Sequence, residues 1–418
     1  MTWFRIAYCC ILSVTLAGAR NLTPAWIELG PDGQTLARIV VEAGDTCPAL
    51  SADGSPLAMQ RREPVPEGFE PACEAVVPAA TRALRFEGRA LPLPSTPKVV
   101  AVLGDTGCRV SAKDTQNCAN PELWPFRKVA DRIARLRPDL IVHVGDYLYR
   151  EVPCPDEAKG CKGPHGDNWA AWDADFFSAA HDALAAAPWA FSRGNHETCA
   201  RSWQGWFYYL DPRPFTNSCI EYSEPYIAHS GTLRIGMMDS APTKEDEKNP
   251  RQIAHFAGDL RTFSGKVDWI ADHHPFWAYK TSAGKKAKTQ TLSQPLAAAW
   301  DQARPEGIRM ILSGHIHLFE FLAFDALDRQ PGNRPAQLVA GTGGTNLAVK
   351  IKPNLAGETV FGVAVNTGNS EHEFGYTELD RRAAGWDLEF RNSNGADQVD
   401  CTLPDRGNSQ CRAPHSDR

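Results

Sequence analysis

Several features that would settle a protein's class at once are missing from this chain. No apolar run reaches the roughly 20 residues that a membrane-spanning helix needs; the stretch Ile6 to Leu16 falls short. There is no basic excess or basic stripe. The net charge is −6, which argues against nucleic acid as an obligatory partner. Internal repeats and low-complexity segments are absent. None of the ten cysteines after position 19 forms a Cys-x-x-Cys pair, which weakens a structural zinc cluster as their explanation.

What is present suits a globular chain able to bury a sizeable core: 418 residues, 43% hydrophobic and 22% charged, enough for one large or two unequal domains. Met1 to Arg5 ends in a positive charge, an apolar run follows, and Ala17-Gly18-Ala19 offers small residues for cleavage. Residues 1–19 therefore read as an export signal, with a periplasmic or secreted product and no stable membrane span after removal. The ten later cysteines fall as near neighbours: Cys47 with Cys73, Cys108 with Cys118, Cys154 with Cys161, Cys199 with Cys219, Cys401 with Cys411. An even count behind a signal suggests disulfides, although spacing alone does not fix the pairing.

Residues 20–97 have short apolar stretches between Pro and Gly clusters, the pattern of a small β-rich N-terminal domain. Leu91 to Pro97 then reads as a stiff linker. From residue 98 the pattern becomes strand–loop–helix alternation, an α/β core over 98–390. Val99–Leu103 and Leu140–Val144 are buried strands, each ending in Gly-Asp. Trp124–Leu136 and Ala170–Ala187 are helical, and later strands fall near residues 233–238, 267–271, 310–312 and 337–340. Residues 391–418 read as a polar tail stapled by Cys401 and Cys411.

Five short segments carry metal-ligand chemistry at predicted strand ends: Gly104-Asp105-Thr106-Gly107, Gly145-Asp146-Tyr147-Leu148-Tyr149, Gly194-Asn195-His196-Glu197, His273-His274-Pro275 and Gly314-His315-Ile316-His317. A lone Gly-Asp is usually a turn. Carboxylates and imidazoles delivered together to one end of a sheet suit Zn, Fe or Mn. Two such ions roughly 3.5–4 Å apart can clamp a phosphoryl group.

In order and spacing these segments resemble the blocks GDxG, GDxxY, GNH, xxxH-x-P and GHxH of the calcineurin-like metallophosphoesterases, and within them the purple acid phosphatases. The resemblance runs over about residues 98–350. It implies a four-layer β-sandwich flanked by helices, and a binuclear metal centre. Asp105, Tyr149 and His317 would hold the first ion, Asp146 would bridge, and Asn195, His273 and His315 would hold the second. Gly107 stands where the broader family carries a ligand histidine, and Tyr149 takes its place as in the purple enzymes. Its phenolate favours Fe(III), paired with Fe(II), Zn(II) or Mn(II). His196 would bind phosphate or protonate the leaving oxygen, with His274 as a substrate-side neighbour, while metal-bound hydroxide attacks. The implied activity is hydrolysis of small phosphomonoesters. A phosphodiesterase of the same fold, and a catalytically silent metal-binding surface protein, are the rival readings.

Other residues carry plainer expectations. Glu197 is a structural residue, His143 a packed histidine inside a strand, and Gly166-Asp167-Asn168 a loop. Asp272 either tunes the metal or faces solvent. Lys280, Lys285, Lys286 and Lys288 steer phosphate or line a solvated loop. Trp169, Trp172, Trp203 and Trp206 wall a leaving-group pocket or pack between helix and loop. Oligomeric state is open.

Overall fold

The computed structural model describes residues 20–280, 290–291, 293–324 and 334–412. The expected export signal, and Lys285, Lys286 and Lys288, lie outside these residues. Two large sheets, of eleven and eight strands, lie face to face. In the first, Val99–Leu103, Leu140–His143 and Pro188–Phe191 run parallel. In the second, Leu233–Met237, Trp269–Ala271, Met310–Ser313 and Ala336–Ala340 do the same.

Strand pleating explains how these apolar runs build four layers, because alternate side chains leave opposite faces. Val100 and Val102 pack inward against Trp269, Leu312 and Leu338 of the other sheet. Ala101 and Leu103 point the other way, into a core closed by the helices Phe126–Leu136 and Ser178–Leu184. On the far side, Ile270 and Ile311 pack under Pro250–Phe263 and Gln294–Ala303. The result is the expected mixed α/β sandwich with helices outside.

Two boundaries differ from the sequence reading. Residues 20–97 do not stand apart as a domain. Trp26–Leu29 lies parallel beside Pro188–Phe191, with Ile27 opposite Pro188, and Thr35–Val40 and Ala72–Val76 continue the large sheet outward. All four residues of Trp26–Leu29 are buried, so this strand is covered on both faces as an interior strand is. Arg38 reinforces the join. It meets Glu28 at 2.8 Å with both side chains fully buried, and donates to the carbonyls of Tyr209 and Asp211 at 2.9 and 2.7 Å. Ala49–Ala52, Ser55–Ala58, Leu84–Phe86 and Arg89–Leu91 form a small sheet of their own.

At the other end, the expected tail is sheet. Asp397–Pro404 and Gln410–Arg412 extend the eleven-stranded sheet beyond Gly385–Asn392. Val399, Cys401 and Leu403 alternate into the core between the sheets, a period-two pattern partly hidden by the polar residues between them. All five expected disulfides form. Among the described residues, no helix is long and apolar enough to cross a membrane.

Candidate metal centre

Every site-bearing loop leaves the C-terminal end of a parallel strand, the end at which open α/β sheets bind ligands. The turns are tight. Asp105, Asp146 and His315 all sit in the left-handed region, at φ 56°, 61° and 69°, where a non-glycine residue is strained and persists only if its surroundings hold it there. Gly194 shows how closely the loops meet: a Cβ there would fall 2.1 Å from the amide nitrogen of Asp146.

Seven donors converge. Tyr149 Oη lies 2.7 Å from Asp146 Oδ2, 3.1 Å from Asp105 Oδ1 and 3.1 Å from His317 Nε2. Asn195 Oδ1 lies 2.9 Å from His273 Nε2 and 2.8 Å from His315 Nδ1. Asp146 Oδ2 joins the two groups, 3.3 Å from His273 Nε2. Gly107 leaves room for the tyrosine, since a Cβ there would stand 2.9 Å from the Tyr149 ring. Burial, followed by the charges of Asp146 and Asp105, pushes the Tyr149 phenol well above its ordinary range. Burial also opposes ionisation of Asp146, but His273 and His196 together hold its carboxyl well below the usual carboxylate range.

Supporting groups fix these loops. Glu197 is wholly buried, and its carboxylate accepts from the amides of Asp146, Tyr147, Leu148 and Gly194 at 2.9–3.2 Å. It ties the Asn195 loop to the Asp146 loop, a structural role. Asp175 does the same for the Asp105 and Tyr149 loops, accepting from the amides of Cys108, Tyr149 and Arg150 at 3.2, 2.8 and 3.2 Å. Ser240 Oγ accepts from the amides of His273 and His274 at 3.0 and 2.9 Å. Asp272 is buried rather than solvent-facing; burial pushes its carboxyl up to about 8, and Ser313 donates to it at 2.5 Å. His143 is a core residue stacked on Tyr147 at 4.1 Å.

His196 stands beside the donors. Its ring centroid is 3.8 Å from that of Tyr149, its Nε2 is 3.9 Å from Asp146 Oδ2, and its Nδ1 is 3.0 Å from Glu151 Oε1. Burial lowers its pKa from the ordinary 6.5, while Asp146 and Glu151 oppose that. A cavity of about 300 Å³ opens there, lined by His196, Glu151, Asp167 and Arg201 among others. Asp167 thus reaches the pocket, but its carboxylate is taken up by the indole of Trp172 and the amides of Gln204 and Gly205. Trp172 and Trp206 are buried in the helix-side core, so packing accounts for them. His274 does not join the seven donors. Its Nε2 lies 3.5 Å from Glu245, and its ring packs 4.2 Å from that of His315.

Glu151, Asp175 and Glu245 escaped the sequence reading. Glu151 follows directly on the Tyr149 block, which is a usable signal. Asp175 shows only as an acid within an apolar helical stretch, and Glu245 sits in a charged run.

Candidate metal ligands gathered at the strand ends of an α/β sandwich point to a class, and the family comparison agrees. The family model for calcineurin-like phosphoesterases matches residues 98–319, more than half of the sequence, and the chain belongs to that family. Among solved structures, it is similar to the purple acid phosphatase PPD1 from yellow lupin (Lupinus luteus) seeds. The TM-score is 0.53 at 14% identity, covering 93% of this chain and 74% of that one. It is also similar to a structure of PhoD, with TM-score 0.53 at 11% identity, covering 94% of this chain and 92% of that one. At such identities the likeness is one of fold. No curated protein matches the chain.

Proposed function

We propose that this phosphoesterase is an exported, binuclear-metal enzyme that hydrolyses small phosphomonoesters. One observation carries the reading: two carboxylates, a phenol, a carboxamide and three imidazoles aim their donor atoms at one another within 2.7–3.4 Å. Such a mixed oxygen and nitrogen set fits Fe, Zn or Mn.

Asp105, Tyr149 and His317 would hold one ion, Asn195, His273 and His315 the other, with Asp146 shared. Bound there, two cations lower the pKa of water and offset phosphoryl charge. A phenolate ligand from Tyr149 favours a hard trivalent ion, so Fe(III) is assigned to the first position beside Fe(II), Zn(II) or Mn(II). Asn195 ligates without adding negative charge to the second position. His196 binds the phosphoryl group or gives its proton to the leaving oxygen, and Glu151 holds the imidazole at Nδ1. The reading includes no covalent protein intermediate. His274, turned to Glu245, is better placed to support His315 than to meet substrate.

Five disulfides support an oxidising compartment, in line with the export signal read at residues 1–19. The test is hydrolysis of p-nitrophenyl phosphate against its bis-ester by protein reconstituted with iron and zinc, with metal analysis and a visible spectrum. Monoester turnover, two metals per chain and a tyrosinate-to-Fe(III) band are expected. No hydrolysis from acid to alkaline pH overturns the reading, and preference for the bis-ester redirects it to a phosphodiesterase.

A further inference from the structure

The three candidate imidazole ligands are held from behind in two different ways. His273 and His317 turn their second ring nitrogens to main-chain carbonyls, those of Val144 at 2.8 Å and Asn346 at 2.7 Å. His315 is different. Its Nδ1 faces Asn195, and its Nε2 meets the carboxylate of Glu245. Glu245 belongs to the charged run Lys244–Lys248, in which it alone is not exposed; its side chain is 16% exposed. Its backbone is fixed too. Gln294 donates its amide to the Glu245 carbonyl at 3.0 Å, and Lys244 donates its amide to Gln252 at 3.0 Å. His274 closes the arrangement, with Nε2 at 3.5 Å from the same carboxylate oxygen.

We propose that Glu245 is a positioning residue of the second metal position, acting through His315. This rests on the binuclear reading above. A neutral imidazole has one donor nitrogen and one acceptor. The charge of a carboxylate beside Nε2 favours the tautomer with its proton there, which leaves the Nδ1 lone pair facing Asn195 and the metal position. A carboxylate behind a ligating histidine also raises its basicity, and losing such a partner typically costs 10–100-fold in metal affinity. A carbonyl fixes the tautomer but brings no full charge. The second position therefore depends on a loop side chain in a way that the first does not. The ring of His274 stands beside the same carboxylate, with Nε2 3.5 Å away.

Glu245, His274 and His315 also converge closely enough to hold a cation themselves. That arrangement would engage both nitrogens of His315, and the experiment separates it from the positioning role. Metal-free protein is titrated with Co2+, followed by visible absorption and chelator competition, for the wild type, Glu245→Ala and Glu245→Gln. The wild type should bind two Co2+ per chain. Glu245→Ala should weaken one of the two sites 10–100-fold and leave the other unchanged. Glu245→Gln, which keeps an acceptor without charge, should fall between. Equal weakening of both sites would mean a loosened fold and overturns the proposal, as does no weakening at all. A third wild-type ion, lost in Glu245→Ala, overturns it in favour of an outer cation site. A wild type that binds no Co2+ overturns the binuclear reading itself, whereas two unaltered sites in Glu245→Ala overturn only the role of Glu245.

Discussion

The two sheets contribute unequal halves to one site. The eleven-stranded sheet supplies Asp105, Asp146, Tyr149, Asn195 and His196, which include all the candidate oxygen ligands. Its loops are covalently pinned, because Cys108, Cys154 and Cys199 follow Asp105, Tyr149 and His196 within a few residues and pair with Cys118, Cys161 and Cys219. The eight-stranded sheet supplies only imidazoles, His273, His315 and His317. Among the described residues its loops carry no disulfide and are held by Ser240, Asn346 and Glu245. The difference follows from the chemistry. Buried carboxylates set close together repel one another and need a rigid backbone to stay together. Imidazoles add no negative charge, and a partner at the second ring nitrogen suffices to aim them.

Replacing Asp146 should break this comparison most severely, since it is the donor that joins the halves. Asp146→Ala should lose the two-metal stoichiometry and bring turnover to background, read by elemental analysis beside phosphatase assays. His273→Ala should remove one metal and spare the other. Identical losses in the two variants would show that the halves do not load separately.

His196 is next. His196→Ala should lower kcat by roughly 10²–10⁴-fold with metal content intact, and more for alkyl phosphates than for p-nitrophenyl phosphate, whose leaving oxygen needs less protonation. The pH profile should follow. As an acid, His196 works only while protonated, and burial places its pKa below 6.5. Activity on poor leaving groups should therefore be present at acidic pH and fall as pH rises through that value. Glu151→Gln removes a group that raises the His196 pKa, so the limb should shift to lower pH; an unmoved limb would detach His196 from proton transfer.

The pinning itself can be tested with Cys199→Ser/Cys219→Ser. Loss of that cross-link should cost about 3 kcal/mol of stability, read by denaturant unfolding. Hydrogen exchange should quicken around Asn195 and stay unchanged around His273 and His315. Smallest of all, Ser240→Ala should cost about 1 kcal/mol and weaken metal binding a few-fold at most, because the His273 ring keeps its bond to Val144.

Four of the five ligand blocks were legible because each repeats one local grammar, an apolar strand, a glycine, then a donor; in the His273 block Asp272 stands where the others have glycine. Gly107 beside Tyr149 was legible for the same reason, and the packing of the two links them in space. Non-local pairing was not. Nothing within Trp26–Leu29 announces that its parallel neighbour is Pro188–Phe191, so the segment read as the start of a separate domain. Glu245 was hidden differently. Side chains in a run such as Lys-Glu-Asp-Glu-Lys are normally solvated, and only the three-dimensional position of His274 and His315 distinguishes one of them. Val399, Cys401 and Leu403 do alternate, but the charged residues around them masked the strand.

The parallel seat of Trp26–Leu29 has a consequence for assembly. On a ribosome this strand is among the earliest parts of the folded chain to emerge, yet it must wait until Pro188 has been made before its neighbour exists. Such long-range closure is slow, and in the interval one edge of the strand, the other being paired with Thr35–Val40, stands open to mispairing. The strand before the Asn195 and His196 loop has both of its neighbours earlier in the chain, so a shortened chain begun at residue 98 would leave one edge of Pro188–Phe191 bare.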